Sequence, residues 1–396
     1  MRLRLKKKIH KISIVALTAG IAVFALACFF FFSYFEPFVY DQADSVLAKV
    51  GNLTTKTASS SELFVPTIVA THKKTPEAVK AIYMSSWVAA TKNIRERLID
   101  SLAETEINSV VIDVKDYSGA VSMDIETKIA GKLDGRVKDL LEFVDYLHQK
   151  NFYVIGRISV FQDNLLSRTR SDLALKRLDN GALWTDRKGI AWLDVSAPEV
   201  WDYTIAVAKE AHKLGFDELN FDYIRFPSDG NTTNISYPYS RLGVETQAEA
   251  LRKFFVYLDA KLKDLDAPIS ADVFGMVTTN TDDLGIGQVL ENTIPYFDYV
   301  APMVYPSHYP TGFLNYKNPA SVPYEIVKHS MSVAVARALA QGYSPLKLRP
   351  WLQDFDLGAN YTAEMIRAQK KAVYDAELTS WMMWDPSNKY TVEAYR

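Results

Sequence analysis

Eight short apolar runs, each divided from the next by an amphipathic segment of helix length, constrain this chain more than any other feature. The runs are Ala81–Ala89, Ser109–Tyr117, Phe152–Val160, Glu218–Phe226, Ile269–Gly275, Tyr299–Tyr305, Lys347–Phe355 and Thr379–Trp384. Between them lie Asn93–Glu104, Gly135–Lys150, Pro198–Leu214, Glu245–Leu265, Gly285–Tyr296, Pro323–Gln341 and Thr362–Ala376. Apolar runs this short, bounded by turn residues, read as strands, and the segments between them carry the 3.6-residue period of helices. Helix-end signals agree: Ser196 stands just before Pro198, and Gly215 and Gly342 follow the third and sixth helical segments. Eight strands alternating with seven helices predict an α/β fold, the (β/α)8 TIM barrel. A doubly wound open sheet would place a glycine-rich phosphate loop after its first strand, and none follows Trp87.

The barrel is expected over 81–396, behind three further segments. Residues 1–11 form a basic tail with six cations and no acid, and residues 12–35 run without a charge. About 20 apolar residues suffice for a helix to cross a bilayer, so 12–35 reads as a transmembrane signal anchor in the lipid bilayer. The cations hold the tail in the cytoplasm and place the barrel outside it. A cleaved leader would want a shorter apolar core, and Phe29–Phe32 prolongs this one. Ala25-Leu26-Ala27-Cys28 is the alternative, a lipoprotein-type site. Residues 36–80 read as a linker, with 63–70 as the part that could pack on the barrel.

Cys28 is the only cysteine, so the region beyond the anchor holds no disulfide. Taking the six N-terminal cations from a formal net charge of −2 leaves −8 for the rest. That balance argues against nucleic acid, whose phosphates demand a basic footprint. The six histidines show no metal-ligand spacing, and neither a Walker loop nor a dinucleotide fingerprint occurs. No cofactor is expected.

Barrel enzymes carry their chemistry where strands end at the C-terminal face. The strand-end polar and aromatic residues are Trp87; Asp113, Lys115 and Asp116; Arg157; Asn220, Asp222 and Arg225; Asp272; Tyr305 and His308; Asp354; and Trp384. Carboxylates and aromatic rings dominate this set. Glycosidic cleavage asks for that combination: one carboxyl protonates the leaving oxygen, and a second attacks or activates water. Asp222, closing Asp217-Glu218-Leu219-Asn220-Phe221-Asp222, is the expected nucleophile or base, and Asp272 the expected acid. Asp113, Asp116, Arg157, Asn220, Arg225, Tyr305, His308, Asp354, Trp384 and Trp87 are expected to shape the substrate site. Lys115 is expected to pair with Asp113 or Asp116. Trp184 and Trp192, in the long connection after the third strand, are candidates to face substrate.

At Gly215–Pro227, Ala301–Tyr309, Arg349–Phe355 and Trp384-Asp385-Pro386-Ser387-Asn388 the chain resembles a bacterial family of barrels classed as glycoside hydrolases. The resemblance spans most of 81–390 and implies a saccharide-cleaving barrel acting on a polysaccharide or oligosaccharide. Strand 4 is also similar to the D-x-x-D-x-D-x-E run of chitinase-type barrels. Asp217, Asn220 and Asp222 occupy its first three positions, but Ile224 stands where the catalytic glutamate belongs. Amylase-like and galactosidase-like barrels place an aspartate nucleophile at the end of strand 4, and Asp222 looks like that residue. Two other readings use the same face: a glycan-binding or envelope-organising barrel without turnover, and a lyase or transferase.

Overall fold

The computed structural model describes residues 68–396. The basic tail, the apolar span 12–35 and the linker as far as residue 67 lie outside these residues. Among the described residues, no helix is long and apolar enough to cross a membrane.

Eight parallel strands close into a barrel: β1 (Lys80–Met84), β2 (Ser109–Lys115), β3 (Tyr153–Ser159), β4 (Glu218–Asp222), β5 (Ile269–Phe274), β6 (Tyr299–Met303), β7 (Trp351–Gln353) and β8 (Trp381–Trp384). Each pairs with its sequence neighbours, and β1 pairs with β8 to close the ring. The connecting helices are α1 (Lys92–Ser101), α2 (Leu140–Gln149), α3 (Pro198–Lys213), α4 (Gln247–Leu262), α5 (Leu290–Thr293), α6 (Pro323–Ala340) and α7 (Ala363–Asp375).

Successive strand side chains point to opposite faces, which divides the core in two. Outward residues such as Val110, Ile112, Leu219, Phe221 and Val273 pack with the inner faces of the helices. Inward residues, among them Tyr83, Val111, Ile155, Ala301 and Met382, fill the barrel itself. Its floor is polar. Arg349 donates to Glu218 at 2.9 and 3.0 Å, and Ser270 and Tyr153 complete the glutamate's shell. Glu218 therefore belongs to the closed end, far from any strand terminus on the upper face.

Several boundaries differ from expectation for identifiable reasons. The first run stops at Met84 because Ser85 caps a short helix, Ser86–Ala90, through its side chain. The β4 run stops at Asp222, four residues early, because Tyr223 turns left-handed at φ 52° and leaves the sheet. The seventh run is reduced to Trp351–Gln353, its start taken by a 3-10 turn at Pro345–Lys347. The fifth helix shrinks to four residues, with Gly285 and Gly287 at positive φ in its approach. Ala197, not Ser196, is the residue before α3, and Ser196 instead donates its backbone N–H to Asp194 at 2.9 Å.

The end of the expected linker is part of the barrel's base. Lys73 donates its backbone N–H to Asp217 at 2.6 Å, and the Thr75 hydroxyl meets the Tyr153 hydroxyl at 3.0 Å.

Candidate active site

Four inward positions at the upper ends of β2 to β5 converge on one cation. Arg157, on β3, donates to Asp113 on β2 at 2.6 Å and to Asp222 on β4, while its Nε lies 3.8 Å from Asp272 on β5. The convergence follows from strand register, since Asp113 pairs laterally with Arg157 and Ser159 with Asp222. None of the four is more than 5 % exposed. In so dry a setting an isolated charge is costly; the cluster persists because cation and carboxylates neutralise one another.

Each carboxylate has a second set of partners. Asp113 accepts from the Tyr83 hydroxyl at 2.6 Å. Asp222 accepts from the backbone N–H of Tyr223, the residue in left-handed geometry. Asp272 accepts from the Asn220 amide at 2.9 Å and the Trp351 indole at 2.8 Å. These donors fix each carboxyl plane, the preorganisation a reacting group needs.

The electrostatics separate Asp272 from its neighbour. Burial first, then the adjacent Asp222 charge, push its carboxyl up to about 8, and Arg157 offsets this only in part. Asp272 is therefore a protonated acid near neutrality, whereas Asp222 ion-pairs directly with the guanidinium. Burial likewise raises Asp113, opposed by Arg157 and Tyr83. For Arg157 itself burial works against the charge, but Asp222 and Asp113 outweigh it and hold the guanidinium protonated more firmly than usual.

Above the cluster opens a cleft of about 530 Å³, lined by Arg157, Asp222, Asp272 and Arg225 and walled by Trp351, Trp384, Tyr305 and His308. Its volume suits a saccharide unit or two, within the usual range for ligand pockets. Trp384 stacks on Tyr83 at 3.9 Å and meets Trp351 edge-on at 5.5 Å, giving the wall a rigid aromatic corner. Tyr305 packs edge-on against His308 and Phe355. Burial lowers the His308 imidazole, which keeps it neutral, and raises the Tyr305 phenol. Gly275 is required here by packing: a Cβ would meet the Met303 carbonyl oxygen at 2.4 Å.

Of the residues expected at the site, Asp222, Asp272, Arg157, Arg225, Tyr305, His308 and Trp384 line the cleft. Asn220 and Asp113 do not line it but hydrogen-bond residues that do, Asp272 and Arg157. Three stand elsewhere. Asp116 binds Arg136 at 2.7 Å and Ser118, holding the loop after β2. Trp87 is 68 % exposed, with Arg136 stacked over its ring. Asp354 accepts from Thr391 at 2.9 and 2.8 Å and from Tyr395, clasping the C-terminal segment.

Lys115 pairs with neither Asp113 nor Asp116. A register irregularity between Asp113 and Lys115 turns its side chain outward, where it binds Asp163 at 2.8 Å. Trp184 and Trp192 are both buried inside the long β3–α3 connection. Their indoles donate to the Asn231 carbonyl at 3.0 Å and to Asp186 at 3.1 Å. Trp351, a candidate sugar platform among the chain's tryptophans, lines the cleft wall as well. Its signal was parity: it lies at an inward position of β7.

The family described as "Putative glycosyl hydrolase domain" matches residues 81–390. No curated protein sequence matches the chain. A hypothetical protein from Ruminiclostridium thermocellum is 29 % identical, over 52 % of this chain and 98 % of that one, at a TM-score of 0.43. The PgaB (BpsB) glycoside hydrolase domain from Bordetella bronchiseptica aligns at a TM-score of 0.59 and 13 % identity, over 80 % of this chain and 97 % of that one. Alpha-L-fucosidase isoenzyme 2 from Paenibacillus thiaminolyticus gives 0.54 and 14 %, over 80 % of this chain and 48 % of that one. These last two likenesses establish the shared barrel fold.

Proposed function

From the premise that this chain belongs to that glycosyl hydrolase domain family, we propose that its barrel cleaves glycosidic bonds with Asp272 as proton donor and Asp222 as its partner carboxylate. The observation that carries this reading is the pair's unequal environment around one guanidinium: Asp272 is pushed up to about 8, while Asp222 sits in a direct ion pair. Two carboxyls in such unequal environments are suited to acid and base roles at one site. Asp272 protonates the leaving oxygen. Asp222 faces the anomeric carbon as nucleophile, or activates the water that attacks it, and the anomer of the first product distinguishes the two. Arg157 holds both groups, and the Trp351–Trp384 corner supplies a face on which a sugar ring stacks.

The substrate we assign is a cell-envelope or exported polysaccharide. The basic tail and uncharged span 12–35 support this, because an anchor with its cations on the cytoplasmic side would leave the barrel outside. Protease accessibility of the barrel in intact protoplasts tests that placement.

One observation favours a second reading, a glycan-binding barrel without turnover: Asp222 and Asp272 are only 5 % and 1 % exposed. Asp222→Asn separates the two. Under the hydrolase reading the variant keeps its circular dichroism spectrum and stops releasing reducing ends from a polysaccharide that the native protein degrades. Under the binding reading the native protein releases none, and the variant retains its affinity.

A further inference from the structure

Three of the four buried or half-buried cations near the barrel mouth have carboxylate partners: Arg157 holds Asp113 and Asp222, Lys115 holds Asp163, and Arg136 holds Asp116. Arg225 has none. It is 8 % exposed and lines the cleft, yet no carboxylate among the described residues lies within ion-pair distance. Its one protein hydrogen bond runs from Nη1 to the Phe226 carbonyl at 3.0 Å. The Nε and Nη2 edge, the fork that grips oxyanions in bidentate fashion, finds no acceptor among the described residues.

The side chain is nevertheless held rigidly. Its guanidinium carbon lies 4.8 Å from the Trp192 ring, 4.7 Å from Phe274 and 5.3 Å from Tyr223. Arginine stacked among rings is fixed in orientation before any ligand arrives, which reduces the entropy lost on binding. Burial destabilises its charge, and no adjacent carboxylate compensates fully. Lys188, exposed on the loop that carries Trp192, adds a second positive charge to the cleft lining. A buried cation without a counter-ion, aimed into a cleft, is stabilised when a ligand supplies the anion.

We infer that Arg225 is an oxyanion subsite, selecting saccharides that carry a carboxylate or a phosphate ester. This inference rests on the glycosidase reading for its site and names the class of sugar that site takes. It runs against the formal charge of −8 beyond the N-terminal tail, which on its own disfavours acidic substrates. The local field of the cleft, set by Arg225 and Lys188, overrides that remote background at short range because the intervening medium is protein.

The test is equilibrium binding of D-glucuronate, D-glucose 6-phosphate and D-glucose to the full chain, by ligand-observed NMR or calorimetry at low salt. Arg225→Met, which keeps the stem packed among the rings, serves as the comparison. The expected result is at least tenfold tighter binding of one anionic sugar than of glucose. Arg225→Met should reduce that preference to twofold or less, with the circular dichroism spectrum unchanged. Whichever anionic sugar is preferred identifies the oxyanion as carboxylate or phosphate ester. Equal binding of all three sugars overturns the inference, as does an anionic preference that survives Arg225→Met. Because the readout is binding, its outcome is independent of whether Asp222→Asn abolishes turnover. If Arg225→Met fails to fold, Arg225→Lys, which keeps the charge and loses the fork, must still show a weakened preference.

Discussion

Asp272 sits in the folded protein as a neutral acid, and that has a price in stability which a single substitution should expose. Its carboxyl rises from an ordinary 3.8 to about 8 through burial and the neighbouring Asp222 charge. A raised folded-state value means that the folded protein binds more protons than the unfolded chain between those two limits. The stability it contributes is then fully present below pH 3.8 and is lost as pH rises toward 8, at about 1.4 kcal/mol per unit. Asp272→Asn removes the titration but keeps the Oδ1 acceptor for Asn220 and Trp351, so the variant lacks that decline. Between pH 5 and 7.5 the variant should gain about 3 kcal/mol on the native protein. With an unfolding entropy of about 2.1 cal/mol/K per residue, over residues 68–396, that gain corresponds to a midpoint shift of about 4 °C. Thermal unfolding followed by circular dichroism across this range measures it, and activity should be lost in the same variant. A stability difference that stays constant from pH 5 to 7.5 would refute the reasoning, since Asp272 would then be ionised in the folded protein and unable to donate a proton.

Other residues give sharper separations of structure from chemistry. Arg157→Met strands Asp113 and Asp222 in a dry site and should cost about 3–5 kcal/mol, read from urea denaturation, with the loss smaller at pH 5 than at pH 8. Asp354→Ala frees Thr391 and Tyr395 and should cost about 2–4 kcal/mol, while turnover per folded molecule stays within twofold. Trp384→Ala removes a cleft wall and should raise KM at least tenfold. Trp184→Phe, inside the long connection, should lower the unfolding midpoint without moving KM.

Much of the fold was legible because its signals are local. Seven of the eight apolar runs contain their barrel strand and the first misses it only by Lys80, since parity and run length need no knowledge of the partner strand. Boundaries failed where a side chain intervened, as when Ser85 caps Ser86–Ala90 or Tyr223 leaves the sheet at positive φ. Within the site, Arg157, Asp222 and Asp272 sit at inward positions on adjacent strands, so reading strand ends brought them together. Asp116 and Lys115 did not follow that logic because the irregularity after Asp113 reverses the parity of β2. Asp354 and Trp87 end up elsewhere through contacts with the C-terminal segment and Arg136, residues distant in sequence. The bond from Trp351 to Asp272 spans 79 positions and carries no local signature.

The division of labour between Asp272 and Asp222 should show itself in the pH dependence of kcat/KM on a polysaccharide that the protein degrades. The profile is expected to fall on the alkaline side with a midpoint near 8, where Asp272 loses its proton. A rate that continues to rise through pH 8, or stays level from pH 6 to 10, would contradict it.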